Sequence, residues 1–313
     1  MATPMQAEPT LSFNLARDVG EVLEYHFMVN ALIAGSLVAV MAGLLGWFMV
    51  LRSETFAGHT LAMMALPGAT GAALIGVPAS WGYFAFCGAG ALAIGRSTGG
   101  QRRGLGEQSA SIGAVQAFAL ALGFLFLSLY HGVLGDLENL LFGTFLGISN
   151  GQVLTLAAVA AGALLALLVL GRRLLLVSVD PDLAAARGVP ARALSIAFLL
   201  LLGLAVAATC QITGVLLVFA LLVAPPAAAQ AVAVRPAVSL ALTLAIGLLT
   251  VWVGLGVSYF SVYPAGFFIT MISFAIYVLA RLLARARGKS RPGTALELER
   301  SEAGSGRVGG VID

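Results

Sequence analysis

An unbroken apolar stretch runs from Val153 to Gly171 and reads V-L-T-L-A-A-V-A-A-G-A-L-L-A-L-L-V-L-G. A second one runs from Ala237 to Val257, again without a charged residue. A transmembrane helix needs about 20 mostly apolar residues, and each run is close to that length. Strands of a membrane β-barrel are shorter and alternate in polarity, so the runs do not fit a barrel. In lipid, a continuous apolar run satisfies its own backbone only as a helix.

The composition extends this conclusion to the whole chain. Of the 313 residues, 60% are hydrophobic and 10% are charged, whereas a soluble domain has about 25% charged residues. A soluble enzyme, a disulfide-stabilised secreted domain and a disordered regulator are therefore excluded. We expect an all-α polytopic integral membrane protein with about nine hydrophobic segments, at 26–51, 60–79, 80–95, 110–132, 152–171, 193–211, 214–234, 237–258 and 266–284. The second is interrupted by Pro67-Gly68 and the third is short, so the spans number eight or nine.

The basic residues predict the orientation. With nine spans, 16 of the 17 lysines and arginines fall on one side, and only Arg17 falls on the other. Positive charge is retained on the cytoplasmic side, so we expect the N-terminus outside and the C-terminus in the cytoplasm. Residues 1–25 then form an extracytoplasmic segment, which can hold an amphipathic helix over Phe13–Glu24, and residues 286–313 form a disordered cytoplasmic tail. No basic face carries interleaved aromatic residues, which argues against a nucleic-acid partner.

The cytoplasmic loop after the fifth segment has the pattern of a short helix. It reads S-V-D-P-D-L-A-A-A-R-G-V-P-A-R from Ser178 to Arg192. Asp180 can cap a helix that begins at Pro181, because proline suits the first helical position. Asp182 favours the positive end of the helix, and Gly188 can end it. Such a helix can either dock into a groove of a soluble partner or simply connect two spans.

The chain has no site of its own for ATP. Arg287-Gly288-Lys289-Ser290 is similar to the end of a phosphate-binding loop. That motif requires a glycine five residues before Gly288, where this chain has Leu283, and a preceding strand rather than a membrane helix. We therefore expect no cofactor bound by this chain.

Several segments, taken in order, carry a family resemblance. They are G-L-L-G-W-F-M-V-L-R (43–52), F-A-G-H-T-L-A-M-M-A-L-P-G (56–68), L-E-N-L-L-F-G-T-F-L-G-I-S (137–149), D-P-D-L-A-A-A-R-G-V-P (180–190), G-V-L-L-V-F-A-L-L-V-A-P-P-A-A-A (214–229) and G-V-S-Y-F-S-V-Y-P-A-G (256–266). Together they resemble the permease subunits of ABC transporters for zinc, manganese and related metals. The resemblance covers about residues 26–285.

The resemblance implies a mechanism and a set of partners. Two permease chains, identical or different, would form a path at their interface in the bacterial cytoplasmic membrane. A separate ATPase, which holds ATP and Mg, would dock on the cytoplasmic loop helix, and an extracytoplasmic binding protein would deliver the substrate for import. The coupling residues implied in this chain are Asp180, Pro181, Asp182, Ala184, Ala185, Arg187 and Gly188.

The candidate substrate pathway departs from the family pattern. The family has G-D-A-L-S-H-A before its P-G pair, whereas this chain has G-H-T-L-A-M-M from Gly58 to Met64. His59 therefore takes the acidic position and Met63 the histidine position. These two residues share a helix face, and an imidazole with a thioether is a softer ligand pair than a carboxylate with an imidazole. We expect His59 and Met63 to act as weak, transient metal ligands.

Three neighbouring residues complete the candidate pathway. Met64 follows the His59–Met63 pair, and Pro67-Gly68 interrupts the segment. A break at Pro67-Gly68 would expose backbone carbonyls for weak ligation. An ion in transit must be released again, so weak ligation suits a path.

Two other functions remain open at this point. A secondary transporter acting without an ATPase usually carries intramembrane ionisable residues, and this chain has almost none. An ABC permease for a substrate other than a metal would keep the same architecture. An intramembrane enzyme would need a catalytic constellation in the spans, and the sequence offers none, so we expect a transport subunit and not an enzyme.

Overall fold

The computed structural model describes residues 20, 25–97, 105–130, 147–261 and 263–288. Regular structure in these ranges is helical throughout. The helices are α1 (His26–Leu51), α2 (Thr55–Met63), α3 (Ala65–Leu74), α4 (Ala79–Ser97), α5 (Leu105–Leu129), α6 (Asn150–Val179), α7 (Pro181–Ala186), α8 (Ala191–Val232), α9 (Pro236–Tyr259) and α10 (Ala265–Ala286). The expected amphipathic helix at 13–24 and the tail beyond 288 fall outside the described ranges, apart from Gly20.

Six stretches are long and apolar enough to cross a membrane within the described part of the chain. They are His26–Leu51, Ser109–Leu129, Asn150–Val179, Ala191–Val215, Pro236–Tyr259 and Ala265–Ala286, and a shorter apolar helix covers Leu217–Val232. The prediction of an all-helical polytopic membrane protein is thus confirmed. Within the described residues, eight of the nine predicted segments lie on a helix or part of one, and 60–79 covers the end of α2 and all of α3; the number that cross the bilayer stays a prediction.

Local sequence explains the start of α6 and the division of α8 into two parts. Ser149 and Gln152 form a capping box at the start of α6: the Gln152 N–H donates to Ser149 Oγ at 3.3 Å, and the Ser149 N–H donates to Gln152 Oε1 at 2.9 Å. Within α8, Gly214 has φ 74° and ψ 165°. Side chains disfavour that conformation, so glycine there divides α8 into 191–213 and 215–232, between the sixth and seventh predicted segments.

The interruption in the second segment lies earlier than predicted. It falls at Met64, between α2 and α3, whereas Pro67 and Gly68 lie inside α3. Proline lacks an N–H, so the carbonyl of Met63 cannot receive its usual hydrogen bond from Pro67. The Met64 N–H still donates to the carbonyl of Thr60 at 3.0 Å, and the Gly68 N–H donates to that of Met64 at 3.2 Å. The backbone therefore passes through this point almost as a continuous helix.

Helix α8 lies at the centre of the molecule, and small residues let its neighbours approach closely. A Cβ atom on Gly203 of α8 would lie 2.9 Å from the carbonyl oxygen of Cys87 in α4. Likewise, a Cβ atom on Gly68 of α3 would lie 2.5 Å from the carbonyl oxygen of Gly82 in α4. Close backbone approach of this kind supplies the van der Waals contact that holds helices together in lipid.

Candidate functional site

Helix α2, which carries the candidate pathway residues, ends near the middle of the helix bundle. The thiol of Cys87 donates to the carbonyl of Leu61 at 3.4 Å. Cys87 is close to the centre of α4, which runs from Ala79 to Ser97. Leu61 therefore lies level with the centre of α4. Because His59 precedes Leu61 by only two residues, His59 lies inside the helix bundle and not at its end.

His59 carries a buried polar atom without a hydrogen-bond partner among the described residues. Its side chain is half-buried, and its ring stands edge-on to that of Phe219 in α8, with 4.6 Å between the centroids. The Nδ1 atom is buried and has no hydrogen-bond partner among the described residues. Buried polar atoms are nearly always paired, so this imidazole nitrogen is available to a partner from outside the described residues, such as water, a second chain or an ion. Imidazole nitrogen is a common ligand for transition metals.

The two methionines after His59 differ in their surroundings. Met63 is half-buried and contacts the core from its edge. It lies one helical turn after His59, so the two residues share a face of α2. Met64 is buried against α4, where its Cγ lies 3.0 Å from the position a Cβ on Gly90 would take. Met63 is therefore placed beside His59, whereas Met64 fills space between α3 and α4.

Pro67 and Gly68 also lie at helix contacts. Both are buried, and a Cβ on Gly123 of α5 would lie 3.3 Å from Pro67 Cδ. Gly68 meets Gly82, as described above. Because these two residues continue α3, the carbonyl that lacks its helical donor is that of Met63. We expected free carbonyls at the Pro67-Gly68 pair. The carbonyl without its helical donor is instead that of Met63, one helical turn closer to His59.

One hydrogen bond and one aromatic contact of α2 were not expected from the sequence. The hydroxyl of Thr60 donates to Gln116 Oε1 at 3.1 Å and ties α2 to α5. Phe219, the partner of His59, lies 160 positions further along the chain. Gln116 stands out as an amide in an apolar segment and could have been noticed, but an aromatic contact at this sequence distance leaves no local signal.

The loop between α6 and α8 contains the predicted helix, α7. Asp180 Oδ1 accepts a hydrogen bond from the Leu183 N–H at 2.9 Å, and Pro181 is the first helical residue. Gly188 has φ 67° after the helix end, as a glycine stop requires. Ala184 is buried, whereas Asp182, Leu183, Ala185 and Arg187 are exposed. The helix thus presents a polar and apolar outer surface, and its role in docking stays a prediction.

A cleft opens at the ends of the helices far from α7. It has a volume of about 590 Å³ and lies between the start of α4, the start of α6 and the middle of α8. Its polar lining residues are neutral: Ser80, Ser149, Gln152, Thr155 and Gln211. His59 does not line it, so the cleft and the His59 site are separate features.

These features define a class: a polytopic helical membrane protein with an unpaired histidine inside the layer and an exposed short helix at one end. The sequence matches the model of the ABC 3 transport family over residues 24–284. The match spans most of the chain, and the chain therefore belongs to this family. It is a permease subunit of an ABC transporter, as the sequence predicted.

Individual relatives agree with the family match. The manganese transport system membrane protein MntC of Halalkalibacterium halodurans is 30% identical, over 88% of this chain and 93% of that protein. The manganese import system permease protein ScaB of Streptococcus parasanguinis is 27% identical, over 86% of this chain and 94% of that protein. The solved structure of PsaBC from Streptococcus pneumoniae in complex with a Fab superposes with a TM-score of 0.74 at 26% identity, covering 85% of this chain and 95% of that one.

Proposed function

We propose that this chain is the membrane-spanning subunit of an ATP-driven importer for a divalent metal ion such as manganese or zinc. The observation that carries the proposal is the near full-length similarity to a permease named for manganese transport. A bound metal chelate is the second candidate. The observation that supports this candidate is that, among the described residues, no group of three or more His, Cys, Asp or Glu side chains can hold a bare metal ion.

The ion would pass His59 and Met63 without being held tightly. His59 offers its unpaired Nδ1, and Met63 offers a thioether and a backbone carbonyl that Pro67 leaves without a helical donor. Three weak ligands of mixed softness suit a step from which the ion must depart. Met64, Pro67 and Gly68 would support this step by holding α3 against its neighbours.

The proposal includes the assembly. Two permease chains would face each other, an ATPase that holds ATP and Mg would dock on α7, and a binding protein would deliver the ion from outside. Asp180, Pro181, Asp182, Ala184, Ala185, Arg187 and Gly188 would form the ATPase contact. The chain would lie in the bacterial cytoplasmic membrane with eight or nine spans, its N-terminus outside and its C-terminus in the cytoplasm. The neutral cleft would then open on the outer side.

The test is uptake by the reconstituted transporter. The chain is purified with its ATPase and binding protein, placed in proteoliposomes, and supplied with manganese or zinc ions in the presence and absence of ATP. We expect ATP-dependent uptake of at least one of the two ions. Uptake that persists without the ATPase would instead indicate a secondary transporter, and ATPase stimulation without uptake of either ion would exclude free manganese and zinc as the substrate.

Three variants connect the site to this activity. His59→Ala and Met63→Ala are expected to lower uptake while the amount of protein in the membrane is unchanged. Asp182→Arg, which reverses a charge on the exposed surface of α7, is expected to uncouple the ATPase without changing the ion site. Normal uptake by both site variants would show that the ion does not depend on these α2 side chains.

A further inference from the structure

A buried ion pair at the α1–α2 turn also holds the start of α8. Arg52 donates from Nε and Nη2 to Glu54 Oε1, at 3.1 and 2.8 Å. The same Nη2 atom donates to the hydroxyl of Ser195 in α8 at 2.5 Å, and the guanidinium lies 5.4 Å from the ring centre of Phe198. The side chains of Arg52 and Glu54 are only 7% and 11% exposed. We name Arg52, Glu54 and Ser195 the clasp.

A short connection with little freedom links the clasp to α7. Only four residues separate the end of α7 from the first residue of α8. Backbone hydrogen bonds fasten each end of this connection to its helix: the Val189 N–H donates to the carbonyl of Ala184 at 3.0 Å, and the Leu194 N–H donates to that of Pro190 at 3.1 Å. Ser195 is the next residue. This short connection can therefore absorb little of a displacement of α7 before the displacement reaches Ser195.

On the other side, the clasp continues into the helix that carries His59. Glu54 is the residue before α2, and its carbonyl accepts the Gly58 N–H at 3.1 Å. Between Arg52 and Glu54, Ser53 has φ 57°, a left-handed conformation that the three-residue turn imposes. A Cβ atom on Gly58 would overlap the sulfur of Met49 in α1, so α2 lies close against α1 at this point. The orientation of α2 is thus fixed at its base by the clasp and by α1.

The clasp leaves one strong acceptor unused. Glu54 Oε2 is buried and has no hydrogen-bond partner among the described residues. A buried carboxylate gains by pairing both oxygens, since Arg–carboxylate pairs are frequently bidentate. The free oxygen is therefore available to a further donor if the turn and α8 move against each other.

We propose that Arg52, Glu54 and Ser195 are positioning residues that transmit displacement of α7 to α2 and so couple ATP hydrolysis to movement of the ion past His59. The inference rests on the proposed function, because it presupposes an ATPase on α7. It adds a connection within this chain between the docking helix and the pathway helix. The three residues need not touch the ion.

The experiment measures manganese uptake and ATP hydrolysis together in proteoliposomes that hold the complete transporter. We expect Arg52→Gln and Glu54→Gln to keep ATP hydrolysis but to lower the number of ions moved per ATP by about tenfold, within the range typical of coupling between sites. Ser195→Ala removes only the hydroxyl and is expected to give a smaller loss. The double variant Arg52→Glu with Glu54→Arg restores an ion pair and is expected to recover part of the ratio.

The control is Arg96→Gln, which removes an exposed arginine from the last turn of α4 and should leave the ratio unchanged. If Arg52→Gln does not accumulate in the membrane, Ser195→Ala and Glu54→Gln together decide the matter, and Ser195→Ala leaves the ion pair intact. An unchanged ratio in Ser195→Ala and Glu54→Gln would overturn the inference while wild-type uptake upholds the proposed function. Absence of ATP-dependent uptake of both manganese and zinc in the wild type would instead contradict the proposed function itself.

Discussion

The imidazole of His59 stands edge-on to the ring of Phe219, with 4.6 Å between centroids and 62° between planes. This contact joins α2 to the second half of α8, beyond the division at Gly214. It restricts the orientations in which the unpaired Nδ1 can meet a ligand. The geometry of the site therefore depends on a residue that offers no ligand atom.

Replacing Phe219 should disturb the site without removing a ligand. Phe219→Leu keeps an apolar side chain but loses the ring contact, which is worth about 0.5–1.5 kcal/mol. We expect manganese uptake to fall about two- to tenfold, measured in proteoliposomes with equal amounts of protein. The control is Phe118→Leu on α5, where the side chain is 67% exposed. Equal uptake by the two variants would contradict a role for Phe219 in orienting His59.

The sequence predicted the features that depend on neighbouring residues alone, namely apolar helices and helix caps. The long apolar runs such as 153–171 form helices, and the Asp180-Pro181 start and Gly188 stop of α7 are present. The interruption near Pro67 was placed three residues too late, because the missing proline N–H acts on the preceding turn and not on the proline itself. The contacts of His59 with Phe219 and of Arg52 with Ser195 join distant parts of the chain, so they depend on helix packing that no single segment encodes.

The crossing of α3 and α4 predicts a contrast between two glycines of the same helix. Gly82→Ala would place a methyl group against the backbone carbonyl of Gly68, which cannot move aside within its helix. We expect a loss of stability of about 1–3 kcal/mol, seen as a lower unfolding temperature of the detergent-purified protein. Gly88→Ala, where nothing lies within 4 Å, should be neutral or slightly stabilising because alanine favours helix. Similar unfolding temperatures for the two variants would show that the helices do not cross at this point.

The cap of α7 predicts a specific pattern of ATPase binding. Asp180→Ala removes the acceptor for the Leu183 N–H and should destabilise α7 by about 1 kcal/mol. Because the helix must be formed to dock, we expect the affinity for the partner ATPase to fall about fivefold. Asp180→Asn keeps a capping oxygen and should retain most of the affinity. Titration of the ATPase onto the detergent-purified permease measures both, and a loss in the Asn variant equal to that in the Ala variant would assign the effect to charge and not to capping.

The division of α8 predicts that Gly214 tolerates no side chain. Its φ of 74° with ψ of 165° lies in a region that is essentially restricted to glycine, and forcing another residue there costs about 1–3 kcal/mol. Gly214→Ala is therefore expected either to lower the unfolding temperature or to straighten α8 and withdraw Phe219 from His59. Gly256→Ala in α9, which has open space around it and no positive φ, is the matched control. The measurement combines thermal unfolding with manganese uptake, because straightening would abolish uptake even in protein that remains folded. Unchanged stability together with unchanged uptake would mean that α8 does not need the conformation at Gly214.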